Sequence, residues 1–215
     1  MKQKIFFLLP LLSVFFIQNA SAFCNSSSTH VYITTNPGNV KYITTLSRRD
    51  FMSRSGQDVS PNTLGLTVAR LSVSGSYTAA QEEEGNLLCA SLESINLRMG
   101  YEDLTVYIDK KYSPTSCEYK VIKEHEKYHV AVAQQAAIFF KPDIEKKIQE
   151  SLKKIKPQIV RTESEKKRVV KAQFDQVVSD LRPLIDHINR VVVQKNKQID
   201  TPESYAATRK LCKNW

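Results

Sequence analysis

The chain has 215 residues, 41% of them hydrophobic, and 31 lysines and arginines against 22 acidic residues give it a formal net charge of +9. This length and apolar content suit one domain, or two small ones, with a real hydrophobic core. The basic residues are dispersed among acids along predicted helices, as in EKKIQESLKKIK, and no nucleic-acid partner is expected. A solvated helix face is favoured, with an anionic membrane or wall polymer as the alternative partner.

The N-terminus reads as a targeting segment. Lys2 and Lys4 precede the apolar run IFFLLPLLSVFFI, and NASA follows, with Ala20 and Ala22 in A-x-A spacing. This pattern is typical of a secretory signal peptide, predicted here at residues 1–22. No later stretch is long and apolar enough for a transmembrane segment. The sequence therefore predicts an exported protein, periplasmic or secreted.

The four cysteines follow the predicted cleavage site, and their even number in an oxidising compartment favours two disulfides out of three possible pairings. We predict Cys89–Cys117, with Cys24–Cys212 joining the ends of the chain. A Cys–His zinc site is disfavoured because no two cysteines lie close together in the sequence.

Residues 23–112 form a predicted β-rich half. HVYITT and VKYITTL flank NPGN, which is a hairpin signal, and LGLTVARLSVSGSYTA continues with extended propensity. LLCASLESINLRM is ambiguous between strand and helix, and we favour a strand because of its surroundings. LTVYID is a further strand.

Residues 113–215 form a predicted helical half. Thr115 as N-cap and Glu118 three residues later suggest a capping box, opening a helix that runs to about Phe140. PDIEKKIQESLKKI predicts a second helix.

A third and very long helix is predicted from Ile159 to about Gln198, with a kink at Pro183. In the tail, Thr201 should cap a short helix whose first residue is Pro202. The predicted fold class is α+β, with an antiparallel β-rich half followed by helices, and the two halves are expected to form one compact domain.

The segment KEHEKYHVAVAQQ contains His125, Glu126 and His129 in the pattern H-E-x-x-H. Because successive helix residues turn by about 100°, both imidazoles lie on one face. That face also carries apolar residues, whereas lysines occupy the opposite side. The pattern therefore predicts two histidines that point inward. The alternative is a pair of core histidines bonded to backbone or carboxylates.

The spacing suits a zinc site. One helical turn brings two ring nitrogens within reach of a single Zn²⁺. Glu126 is predicted to border a cleft as the catalytic general base, taking a proton from metal-activated water that attacks a carbonyl. H-E-x-x-H on a helix is the signature of zinc-dependent peptidases called zincins.

The segment CEYKVIKEHEKYHV, with Cys117, Tyr119 and the H-E-x-x-H motif, resembles a bacterial family described as secreted Zn-dependent proteases and classified as a domain of unknown function. The resemblance covers about residues 85–190, and its specific part is 117–130. It implies an exported zincin-like fold.

The third metal ligand is predicted from the helices after the motif. In the resembling family, a later helix carries an aromatic-Asp pair and then a His; here Phe174-Asp175 match, and Asp180 stands where that His should be. His187 is favoured because it is the only downstream imidazole, and Asp180 and Glu163 are the alternatives.

The predicted function is Zn²⁺-dependent hydrolysis of a peptide or protein substrate, including cell-wall peptides. The alternative is a non-enzymatic envelope binding or scaffold protein that uses the long basic helix as its interaction surface. Heptad-like stretches leave the oligomeric state open.

Overall fold

The computed structural model describes residues 23–25, 28–55, 63–101, 104–213 and 215. The predicted signal peptide lies outside these residues. The strands are β1 (His30–Asn36), β2 (Val40–Ile43), β3 (Gly65–Val68), β4 (Ser72–Ala79), β5 (Glu83–Glu84), β6 (Leu87–Ala90), β7 (Leu92–Gly100), β8 (Leu104–Ile108) and β9 (Gln158–Val160). The helices are α1 (Arg48–Ser55), α2 (Cys117–Phe139), α3 (Lys141–Leu152), α4 (Glu163–Ile199) and α5 (Pro202–Lys210). The α+β prediction is confirmed.

The described strands form three small sheets, ordered β1-β7-β4, β2-β8-β3 and β5-β6-β9. Most pairings are antiparallel, but β1 runs parallel to β7 and β2 runs parallel to β8. The predicted hairpin around NPGN is therefore wrong.

The reason is visible in the strand register. His30 pairs with Ser94 and Val40 pairs with Leu104, so the two strand pairs have the same offset in residue number. β1 and β2 therefore form one bent extended segment, which runs alongside a second segment made of β7 and β8. Gly38 has a φ of 81°, and a Cβ there would lie 2.9 Å from the carbonyl oxygen of Tyr101. The turn thus bends an extended segment against its neighbour instead of reversing the chain.

The helices pack against the sheets and supply about half of the buried hydrophobic residues. α2 contacts β3, β8, α4 and α5, while α4 also packs against β4, β6 and β7. The residues that meet here are fully buried aliphatics; from the strands they include Ile95, Met99, Leu104 and Ile108, and from the helices Ile122, Ile144, Ile148, Leu181 and Ile188.

Several predicted helix boundaries shift. α1 replaces predicted β structure, because Phe51 is completely buried and stacks on Tyr107 at 5.7 Å. The N-cap of α2 is Ser116, one residue after the predicted Thr115, and its side chain accepts the backbone N–H of Tyr119.

The third predicted helix also starts later than expected. The chain first forms the short strand β9, which pairs with β6. α4 then begins after Thr162, where Thr162 and Glu165 make a capping box. The short last helix is confirmed, with Thr201 as its cap and Pro202 as its first residue.

Both disulfides form, but the predicted pairing is wrong. Cys24 pairs with Cys89, and Cys117 pairs with Cys212. The prediction failed because Cys89 lies on β6 beside β9, where the N-terminal Cys24 also lies against Gln158. The start of α2 instead lies beside the chain just after α5. Within the described residues, no helix combines the length and apolar character needed to cross a membrane.

Candidate metal centre

The H-E-x-x-H residues lie on α2 with their side chains inward, as the helical pattern predicts. His125, Glu126 and His129 are each at most 6% exposed. The Nε2 atoms of the two histidines are 3.2 Å apart, and the rings meet edge to face with centroids 5.0 Å apart. The two imidazoles therefore converge on one point.

Asp200 completes this group. Its Oδ1 lies 3.0 Å from Nε2 of His125 and 3.0 Å from Nε2 of His129. Asp200 is the C-cap of α4 and directly precedes Thr201, the N-cap of α5. Because two helix ends meet at this residue, its backbone position is fixed from both sides. These three side chains are named the metal-ligand group below.

The predicted third ligands lie elsewhere, which corrects the sequence-based choice of His187. His187 is exposed on α4, and its ring faces Phe140 at 6.3 Å. Asp180 accepts a hydrogen bond from Ser151 at 2.8 Å, and Glu163 is exposed at the first turn of α4. A residue 13 positions before Asp200 lies about 20 Å away along the helix axis, so α4 reaches the histidines only at its C-terminal end.

Glu126 lies next to this group and is bound to β3. Thr67 Oγ1 donates a hydrogen bond of 2.7 Å to Glu126 Oε2. A Cβ at Gly65 would lie 2.7 Å from Glu126 Oε1, so glycine makes room for the carboxylate. Glu126 is only 2% exposed, which corrects the expectation that it borders a cleft. This burial raises its pKa above the usual value.

The charges of the group are interdependent. Although burial would raise the pKa of Asp200, hydrogen bonds from His125 and His129 hold it well below its ordinary value. Burial would lower the pKa of His129, but the hydrogen bond to Asp200 and the charge of Glu126 leave it raised. The hydrogen bonds between this carboxylate and the two imidazoles are strong, because a hydrogen bond to an ionised group is stronger than one between neutral groups.

Outer contacts hold the ligands in place. The ring of Tyr205 lies 5.4 Å from that of His125, and its hydroxyl is 3.4 Å from the hydroxyl of Thr63. The same tyrosine helps to lower the pKa of Asp200. Burial raises the pKa of Tyr205. Such outer partners orient metal ligands in known sites.

The geometry fits a tetrahedral metal ion. Zinc bound at 2.0–2.1 Å to tetrahedral ligands keeps the ligand atoms about 3.3 Å apart. The three donor atoms here are 3.0, 3.0 and 3.2 Å from one another. Two imidazoles and a carboxylate are also ligand types that zinc accepts. The spacing of these three donor atoms is thus suited to a divalent cation.

Three residues of the site, Asp200, Tyr205 and Thr67, were not predicted from the sequence. Asp200 carried one usable signal, because it stands between the end of a long helical pattern and a Thr-Pro helix start. Comparison of the chain with protein-family models, curated proteins and solved structures finds no match.

Proposed function

We propose that this protein is an exported zinc-dependent hydrolase that cleaves peptide bonds. The observation that carries the proposal is the convergence of His125 Nε2, His129 Nε2 and Asp200 Oδ1, with Glu126 beside them. Structural zinc sites are closed by four protein ligands, whereas catalytic sites use three and leave a position open. Among the described residues, the metal-ligand group has three members.

A bound zinc ion would supply Lewis acidity, lowering the pKa of a water ligand to about 7 and polarising a carbonyl. His125, His129 and Asp200 would hold the ion, and Tyr205 would orient Asp200 through its hydroxyl. Asp200 is about one-third exposed, so the group is accessible from its side.

Glu126 is assigned as the general base. The charges of His129, His125 and Asp200 all act on its carboxyl, so this carboxyl lies close to the metal position without belonging to the metal-ligand group. The hydrogen bond from Thr67 fixes one carboxylate oxygen and leaves the other to accept the proton of the attacking water.

A peptide substrate is favoured by β3. This strand pairs with β8 and lies at the edge of its sheet among the described strands. Edge strands can bind an extended peptide through backbone hydrogen bonds. Because Thr67 of β3 contacts Glu126, a peptide on this edge would pass the proposed base. The two disulfides fit an oxidising, extracytoplasmic compartment.

The alternative is a structural metal site in an envelope binding protein, and the near-complete burial of both histidines and Glu126 favours it. Metal content and hydrolysis separate the two. Elemental analysis of the purified protein, before and after chelation, should find about one zinc per chain. Metal-loaded protein should then cleave members of a fluorogenic peptide library.

The decisive variant is Glu126→Gln, with Glu124→Gln as its control. Glu124 is two residues away on the same helix, but it is exposed and pairs with Lys127. Glu126→Gln should keep the zinc and lose about 10²–10⁴-fold in turnover, whereas Glu124→Gln should keep both. Absence of metal from the wild-type protein would overturn the proposal. Zinc that remains bound while Glu126→Gln leaves activity unchanged would favour the structural alternative.

A further inference from the structure

A cavity of about 370 Å³ lies where the start of α1, the chain after β8 and the end of α5 come together. Its lining has three cationic side chains, from Arg48, Lys111 and Arg209, and one carboxylate, from Asp109. Tyr112 and Trp215 complete much of the wall. We call it the basic cavity. Its volume suits one charged side chain or one terminus of a peptide, together with the adjoining atoms, better than a large cofactor.

The charged lining favours an anion. Asp109 is buried, and its Oδ1 already accepts the backbone N–H of Lys111 at 3.0 Å. Lys111 Nζ lies 4.8 Å from the ring centre of Tyr112, whose ring meets Trp215 at 5.8 Å. Lys111 and Arg209 alone therefore outnumber the single carboxylate of Asp109. An arginine also offers paired donors that match a carboxylate.

Two segments connect the basic cavity with the metal-ligand group. Thr63 lines the cavity, and Thr67, four residues later, donates to Glu126. On α5, Tyr205 packs on His125 and Arg209 follows one helical turn later. Four residues of extended chain span about 13 Å. A bound peptide that reaches Glu126 would therefore need about four residues to reach the cavity.

On the basis of the proposed hydrolase function, we propose that the basic cavity is a specificity subsite that binds a carboxylate of the peptide substrate, about four residues from the bond that is cleaved. The carboxylate comes from an acidic side chain or from the C-terminus of the peptide. Charge pairing with Arg209 and Lys111 would give the recognition, and the aromatic wall would hold the adjoining methylene groups.

Trp215 provides a direct readout, because it is the only tryptophan of the sequence and it lines the cavity. Its emission is followed while the chelated protein, which cannot turn over, is titrated with three hexapeptides. The first alternates alanine and glutamate and is acetylated and amidated. The second carries glutamine in place of glutamate, and the third is the glutamine peptide with a free C-terminal carboxylate. The first and third probes distinguish a side-chain from a terminal carboxylate.

Matched variants test the location. Arg209→Gln removes a charge from the cavity, and Lys210→Gln removes one from the next residue, which is exposed and outside the lining. Lys111→Gln and Lys110→Gln form a second pair of the same kind. The cavity variants should weaken binding of the carboxylate peptide about tenfold, and the neighbouring variants less than twofold. The neutral peptide should not saturate.

Equal binding of the glutamate and glutamine peptides, or equal losses in Arg209→Gln and Lys210→Gln, would overturn the subsite. The same peptides are then offered to the metal-loaded protein, and faster cleavage of the peptide that binds is expected. Binding without cleavage would remove the hydrolase proposal and leave the carboxylate site standing.

Discussion

The two halves of the metal-ligand group come from regions of very different kinds. His125 and His129 belong to one helical turn of α2, so their proximity follows from local geometry alone. Asp200 lies about 70 residues later in the chain, where α4 ends and α5 begins. Its position depends on how two long helices pack and on a disulfide. Part of this site is therefore set by local helix geometry and part by tertiary packing, and only the local part can be recognised as a sequence motif.

The disulfide between Cys117 and Cys212 joins these two regions. Cys117 is the first residue of α2, and Cys212 follows α5 by two residues. The bond therefore links the start of α2, which carries the two histidines, to the chain just after α5, which begins beside Asp200. The other disulfide, between Cys24 and Cys89, lies at β6 and does not join these two elements.

The largest effect is expected from Asp200 itself. Asp200→Ala should weaken zinc binding by more than the 10–100-fold that is typical for outer partners, because it removes one of three ligands. His187→Ala is the control, since His187 is exposed on the same helix as the Asp200 cap and faces Phe140. Competition with a fluorescent zinc chelator would measure both affinities. Loss of zinc in His187→Ala, with retention of zinc in Asp200→Ala, would contradict the assignment of Asp200 as the third ligand.

Next in size is the effect of the two disulfides. Replacing Cys117 and Cys212 by serine should lower the free energy of unfolding by about 2–5 kcal/mol and should also weaken zinc binding. Replacing Cys24 and Cys89 should lower stability by a similar amount with little change in zinc affinity. Denaturant melts and the chelator competition would be measured on both double variants. Equal losses of zinc affinity would mean that Cys117–Cys212 has no special role in positioning Asp200.

A smaller effect is expected from the outer contact of Asp200. Tyr205→Phe removes the hydroxyl that helps to lower the pKa of Asp200, and it should weaken zinc binding about tenfold. Tyr101→Phe is the matched control, because the Tyr101 hydroxyl is buried without a hydrogen-bond partner among the described residues. Tyr101→Phe should leave zinc binding unchanged and stabilise the fold by about 1 kcal/mol. An unchanged zinc affinity in Tyr205→Phe would show that the ring of Tyr205, not its hydroxyl, positions Asp200.

The sequence predicted what depends on near neighbours. The strand assignment of LLCASLESINLRM followed from its surroundings, the inward histidines of α2 from helical periodicity, and the Thr201 cap from helix-start signals. It failed where distant segments decide. NPGN bends the segment made of β1 and β2, whose pairing partners are β7 and β8. The pairing of Cys117 with Cys212 depends on the start of α2 lying beside the end of α5. Asp200 was missed for the same reason, since its place beside the histidines depends on how α4 and α5 pack against α2, and no local spacing marks it as a ligand.

The smallest effect concerns Asp180, the position at which the resembling family would carry its histidine. Ser151 Oγ donates to it at 2.8 Å and Gln176 at 2.7 Å, and these bonds hold the pKa of Asp180 below its ordinary value. A carboxylate with a depressed pKa adds stability above its unfolded pKa of about 3.9, and this contribution is lost as the pH falls through the folded value. Asp180→Asn should therefore lower Tm slightly at pH 7, with a difference that shrinks below about pH 4, and should keep its zinc. Thermal melts between pH 3 and 7, with zinc analysis at pH 7, would test this. Loss of zinc in Asp180→Asn would instead place the third ligand in the middle of α4 and contradict the position of Asp200.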